Sequence, residues 1–227
     1  MASGCCVFSA DSRYLWATVP PRPEKFFATG DELWLIDRRV MWVIDYRRLE
    51  TAAAGCEPVL HPDGQTIGLS IGEGQDGSPI RWVRAHRDRI EPRFGPEWDR
   101  VLTAVHPDGD EYLTTPHPSG ADTLVRHHFA DDRPIQQLAA ADVLGAYQGW
   151  DLSAGYLTDS LILASSFETG RDSERHVLVQ RAPMRLLGEV AYPGGAPPGW
   201  IAGAQQGTWL TVGDHGIDRW ILASLAG

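Results

Sequence analysis

The chain has 227 residues, 30 of them acidic and 20 basic, for a net charge of −10, and 43% of it is apolar, with nine tryptophans. A balance so acidic argues against a nucleic-acid partner, whose binding depends on cationic neutralisation of phosphates. Apolar runs fall far short of the ~18 residues that a membrane-spanning helix needs, and Met1 to Cys6 lack the basic-then-apolar pattern of a secretion leader, so a cytoplasmic protein that does not engage a membrane is expected.

In chain order, the first unit covers 1–50. It opens with Phe8-Ser9-Ala10-Asp11-Ser12-Arg13-Tyr14-Leu15, a strand, a polar turn and a second strand. After Val19 comes a loop from Pro20 to Asp31, in which Arg22, Lys25, Phe26 and Phe27 stand among prolines. Adjacent phenylalanines on an extended chain point in opposite directions, and prolines lower the entropy lost on ordering, so this loop is expected to be a recognition edge, the alternative being that both rings fold back and cover the apolar edge of the first unit. Third and fourth strands are expected at Leu33–Asp37 and Val40–Tyr46, turning at Arg38-Arg39.

The second unit, 51–98, carries the clearest copy: Leu60-His61-Pro62-Asp63-Gly64-Gln65-Thr66-Ile67-Gly68-Leu69. The third, 99–143, repeats it as Val105-His106-Pro107-Asp108-Gly109-Asp110-Glu111-Tyr112-Leu113-Thr114. Weaker echoes open the fourth unit, 144–192, around Leu157, and the fifth, 193–227, around Ala204. Taking Ser9, His61, His106, Leu157 and Ala204 as equivalent, the spacings are 52, 45, 51 and 47 residues. Pro-Asp-Gly suits a tight turn: proline presets φ, aspartate bonds back to nearby amides, and glycine accepts positive φ. Each unit then continues into an alternating strand, such as Ile80–Arg84 or Arg175–Val179, and a last apolar run. Strand-rich units of this period read as the blades of a propeller. The expectation is therefore an all-β fold, a β-propeller of about five four-stranded antiparallel blades in one domain. The fifth unit shows only three strands, which leaves an open edge able to pair. Arg133–Leu144 and Tyr46–Ala54 could each hold a helical turn instead.

The apolar–Ser/His–Pro–Asp–Gly–x–x–apolar signature resembles the blade motif of TolB-like and WD-repeat propellers, in two close copies and three loose ones that together span nearly the whole chain. No copy ends in the Trp-Asp pair of WD repeats; Trp98-Asp99 and Trp150-Asp151 are expected to precede first strands. Such a resemblance implies a fold and no single chemistry.

Motifs that suggest catalysis do not sit in the right context. Gly72-Glu73-Gly74-Gln75-Asp76-Gly77 matches a dinucleotide fingerprint, but a strand follows where a helix must start, and two acids would repel phosphate. Gly68-Leu69-Ser70-Ile71-Gly72 matches a nucleophile elbow, yet Ser70 is expected inside a strand, buried and unreactive. His61 and His106 are expected to bond their own turns and to stand well apart. His127 and His128 should point to opposite faces and cannot chelate together. His117, with Asp214 and His215, falls in loops between second and third strands that share a face in a propeller, where a loop-built metal site is conceivable, though their spacing is unspecific. Arg81, Arg84, Arg87, Arg89, Arg93 and Arg100 alternate with acids as a solvated edge. Three cysteines, an odd number without metal-ligand spacing, fit reduced thiols.

With no catalytic residues, metal or cofactor indicated, the reading is a non-catalytic binding module or scaffold that meets a protein partner through a loop-lined face, with Arg22, Lys25, Phe26, Phe27 and His117 as binding residues. The alternative is a hydrolase or lyase, metal-assisted, with its site in the central channel.

Overall fold

The computed structural model describes residues 4–19, 31–49, 56–72, 77–95, 100–118, 120–145, 147–169, 171–195, 199–213 and 216–223. They form five sheets in chain order. β1 (Cys5–Phe8), β2 (Tyr14–Val19), β3 (Glu32–Asp37) and β4 (Trp42–Arg48) make the first, and β5 (Cys56–Leu60), β6 (Thr66–Ile71), β7 (Ile80–His86) and β8 (Arg89–Phe94) the second. β9 (Arg100–Val105), β10 (Glu111–Pro116), β11 (Thr123–His128) and β12 (Pro134–Ala139) make the third, followed by α1 (Ala140–Val143). β13 (Gln148–Thr158), β14 (Leu161–Glu168), β15 (Arg171–Gln180) and β16 (Arg185–Glu189) make the fourth, and β17 (Trp200–Gln205), β18 (Thr208–Gly213) and β19 (Gly216–Ile221) the fifth. Consecutive antiparallel sheets of this size are the blades of a β-propeller. No helix among the described residues is long and apolar enough to cross a membrane.

The chain divides into two compact units, 1–109 with 117–120 and 110–116 with 121–227. In the first, alternation along the strands sets the core. Tyr14 and Trp16 of β2 and Leu33 and Leu35 of β3 turn to one side and meet Ile67, Leu69, Val83, Ala85 and Ile90 of the second sheet. Each such large side chain gains roughly 1.5–3 kcal/mol by leaving water. Asp45 ties the outer strands together by accepting the Ile90 N–H at 2.7 Å. On the other side of the second sheet, buried Trp82 stands over Gly68, and a Cβ there would lie 2.6 Å from the indole and closer still to Leu102 of β9. Gly68 is thus a packing glycine, which accounts for one end of the nucleophile-elbow match.

In the second unit, β14 is covered on both faces. Leu163 joins Leu157, Tyr192, Ile201 and Trp209 in a cluster, while Ile162 and Ala164 face the other way, opposite Val179 and Val177 of β15. Trp150 is locked by two bonds, its indole N–H to Leu138 O and its backbone N–H to Asp122 Oδ1, both 3.0 Å.

The structure corrects two expectations. The fourth strand of the first sheet begins at Trp42, so Val40 lies in a turn over residues 38–41, where Met41 takes φ +52°. Trp150 and Asp151 lie within β13 and do not precede it. The region 133–144 holds both expected options in succession, a strand through Ala139 and then the single turn of α1. β4 continues to Arg48 in place of a helical turn there, and 50–55 lie outside the described residues.

The packing at residue 68 predicts that Gly68→Ala lowers stability by about 1–3 kcal/mol through overpacking, read as a fall in the urea midpoint.

Candidate binding surface

Arg22, Lys25, Phe26, Phe27, Asp214 and His215 lie outside the described residues. His117 is half-buried just after β10, in the link to β11, and its carbonyl accepts the Gly120 N–H at 2.8 Å. Among the described residues no group of three His, Cys, Asp or Glu side chains stands together to hold a metal.

The repeated turns are built as their residues dictate. Asp63 accepts the N–H of Gln65 at 2.9 Å, the N–H of Thr66 at 2.8 Å and the Thr66 hydroxyl at 2.7 Å. Burial pulls its pKa up, and these bonds outweigh that and hold it below the usual carboxylate range. His61 Nδ1 accepts the Asp63 N–H at 3.2 Å, and His106 Nδ1 accepts the Asp108 N–H at 3.3 Å. Ser9 stands at this position in the first turn, its hydroxyl donating to Asp11 Oδ1 at 2.6 Å. The turns do not stand apart, however. His61 donates from Nε2 to Gly109 O at 3.0 Å, so one turn reaches directly into the next. An imidazole aimed along the row of turns spans the gap between them.

Ser70 is buried in β6, its hydroxyl 3.1 Å from that of Ser78. Among the described residues the next strand or helix is β7, so neither motif around it shows there the helix that its chemistry requires. His127 and His128 take opposite sides of β11 as expected: His127 is buried, donating from Nδ1 to Asp132 O at 3.2 Å and accepting at Nε2 the Thr114 hydroxyl proton at 3.0 Å. Of the arginine series, Arg84 donates from Nε and Nη2 to Gln65 Oε1, and Arg93 lies 6.0 Å from the Trp82 ring centre.

Two buried polar sites in the second unit escaped the sequence reading. Glu111, the first residue of β10, accepts five hydrogen bonds: Arg126 Nε at 2.9 Å and Nη2 at 2.5 Å, Arg181 Nε at 2.8 Å and Nη2 at 3.0 Å, and the Tyr156 hydroxyl at 2.9 Å. Burial raises its pKa, but the two guanidinium groups and the phenol outweigh that and push it down to about 2. Burial and the adjacent carboxylate raise Tyr156 in turn. Arg126 and Arg181 spend their remaining Nη1 groups on the carbonyls of Arg181 and Asp159, so the cluster is structural. The signal was an acid at the position that Thr66 occupies in the preceding repeat. The second site is His176, wholly buried, with Nδ1 2.6 Å from the Tyr192 hydroxyl and Nε2 3.4 Å from Glu174. Tyr192 also accepts the Trp209 indole N–H at 2.8 Å, and burial pushes its pKa up to about 12. A phenol so held is not poised as a base.

The exposed chemistry lies at the turn end of the first unit. Val40, Met41 and Trp42 are 67%, 74% and 72% exposed in succession, beside Arg38 and Arg39. Arg38 anchors this hairpin to the first repeated turn, donating to Ser12 O at 2.8 Å with its guanidinium 4.9 Å from the Phe8 ring centre. Arg13 reaches Asp88 of the next sheet at 3.8 Å. Turns 9–13, 38–41, 62–65 and 87–88 therefore share one loop-lined end. The ends that loop 20–31 joins, Val19 and Glu32, lie at the opposite end of the first sheet.

The architecture is that of a β-propeller, and its fold is similar to that of TolB. Putative TolB from Agrobacterium tumefaciens matches 92% of this chain with a TM-score of 0.59 and 13% identity. TolB from Acinetobacter baumannii matches 97% with a TM-score of 0.51 and 13% identity, and hydrazine synthase of Kuenenia stuttgartiensis 98% with a TM-score of 0.54 and 13% identity. The chain spans 69%, 52% and 66% of those three chains respectively. At that identity the likeness is one of fold alone. No protein-family model matches the chain, and no curated protein matches it.

The Glu111 cluster predicts an acid-labile component of stability. Its folded pKa lies below its ordinary value of 4.5, so the contribution is complete above about pH 4.5 and drains away as pH falls toward 2. Glu111→Gln should cost about 3–5 kcal/mol at neutral pH by leaving buried guanidinium charge uncompensated. It should also flatten stability between pH 5 and about 2, both read from urea denaturation across pH.

Proposed function

We propose that the chain is a non-catalytic binding module that recognises a protein partner through the loop-lined end of its first unit. The observation that carries this is the run Val40-Met41-Trp42, three large apolar side chains each about two-thirds exposed or more at a tight turn, with Arg38 and Arg39 beside them. Exposed apolar groups in succession mark interaction sites more than they mark folding, and tryptophan with arginine supplies the usual anchors of interfaces. The partner offers an apolar recess rimmed by acidic groups. Arg22, Lys25, Phe26 and Phe27, together with His117, form a second recognition edge on the connections between second and third strands.

The test is affinity capture from the native lysate with four baits in parallel: the parent chain, Met41→Ser/Trp42→Ser, Phe26→Ser/Phe27→Ser and an unrelated protein. Expected is a single protein retained by the parent, lost with the first double variant and weakened with the second, at melting temperatures within about 2 °C of the parent, as for surface substitutions. Equal capture by the parent and Met41→Ser/Trp42→Ser would sink the reading.

A further inference from the structure

Among the described residues the fifth sheet has three strands where each of the other four has four. β19 pairs with β18 on one side, and among the described residues no strand lies on its other side. The Leu222 N–H donates to Gly207 O at 2.8 Å, which fixes the phase of the strand. Asp218 and Trp220 direct their backbone groups toward β18, and Ile217, Arg219 and Ile221 direct theirs outward. Side chains follow the same period. Trp220 turns to the packed face, donating from its indole to Thr211 Oγ1 at 2.9 Å. Ile217 and Ile221, each 70% exposed, stand with Arg219 on the other face, level with Val212, Thr208 and Leu210 of β18. An apolar, outward-facing edge of this kind is a template for a further strand.

We propose that the free edge of β19 is a binding site for an extended peptide segment of a partner protein, which adds antiparallel as a fourth strand. Charge specifies the segment. It carries an acidic residue opposite Arg219, a basic residue opposite Asp218, and apolar residues opposite Ile217 and Ile221. From N- to C-terminus it therefore reads apolar, any, acidic, basic, apolar. A second copy of this chain fits poorly. Two-fold pairing of β19 with itself must place some residue opposite its own counterpart. Centring on Arg219 sets guanidinium against guanidinium, centring on Asp218 sets carboxylate against carboxylate, and registers further out pair only half of the six-residue strand. This site is separate from the hairpin of the first unit and does not depend on it.

The probe is a fluorescein-labelled Thr-Val-Thr-Glu-Lys-Val-Thr peptide titrated with the full chain by fluorescence anisotropy, beside the same peptide with Glu and Lys exchanged. The first should bind about tenfold more tightly, because two matched cross-strand charge pairs replace two mismatched ones. Asp218→Arg/Arg219→Asp should invert the preference. Arg219→Pro removes an outward N–H that the ladder to β18 does not use, so it should leave the fold intact and abolish binding. The proposal is overturned if neither peptide binds, if both bind equally, if the exchanged variant keeps the parent's preference, or if Arg219→Pro binds as well as the parent. A concentration-dependent dimer in sedimentation that Arg219→Pro dissolves would give the edge to a second copy and overturn it too.

Discussion

A small sheet with apolar side chains on both faces cannot be stable by itself, and everything else in this chain follows from that. Ile67 and Leu69 of β6 need the first sheet on one side, and Gly68 needs Trp82 and Leu102 on the other. β14 is the extreme case, buried from Ile162 to Ser166 with no polar face to show to water. Each blade is therefore completed by its neighbours, and the stability of a repeat array resides in the contacts between repeats as much as in the repeats themselves.

Stacked sheets also trap polar groups, and the chain handles them by saturation. Glu111 has every acceptor direction filled, and its two arginines bond carbonyls with what remains. A buried ion cluster rarely adds stability over apolar packing, but it is intolerant of any other arrangement, since each displaced member leaves a charge unmatched. His127 follows the same rule with neutral partners, its imidazole placed between the Thr114 hydroxyl and Asp132 O.

The fold was legible because the turns carry their own chemistry: Pro62-Asp63-Gly64 and Pro107-Asp108-Gly109 are local structures, and a recurring local structure betrays the period. The three-stranded last sheet was legible for the same reason. What sits between sheets was not. Nothing near His61 announces that its imidazole will meet Gly109, 48 positions later. The Val40-Met41-Trp42 run looked like the start of a core strand, because apolar composition cannot by itself distinguish a buried strand from an exposed turn. Glu111 follows a polar turn directly in the sequence, and only its burial in the fold makes it interior. Site chemistry in this chain depends on which blade faces which, and a linear pattern does not encode that.

Gly64 and Gly109 have a consequence for how the blades can be rearranged. Each takes positive φ, as its own turn requires, but each also lacks room for a side chain because of another repeat: Asp11 stands 2.9 Å from where a Cβ of residue 64 would be, and His61 2.9 Å from that of residue 109. The repeats are therefore not interchangeable bricks. A blade moved, duplicated or grafted elsewhere in the array would bring a turn shaped by a neighbour it no longer has. The order of the first three repeated turns is written into the turns themselves as firmly as the shape of each one.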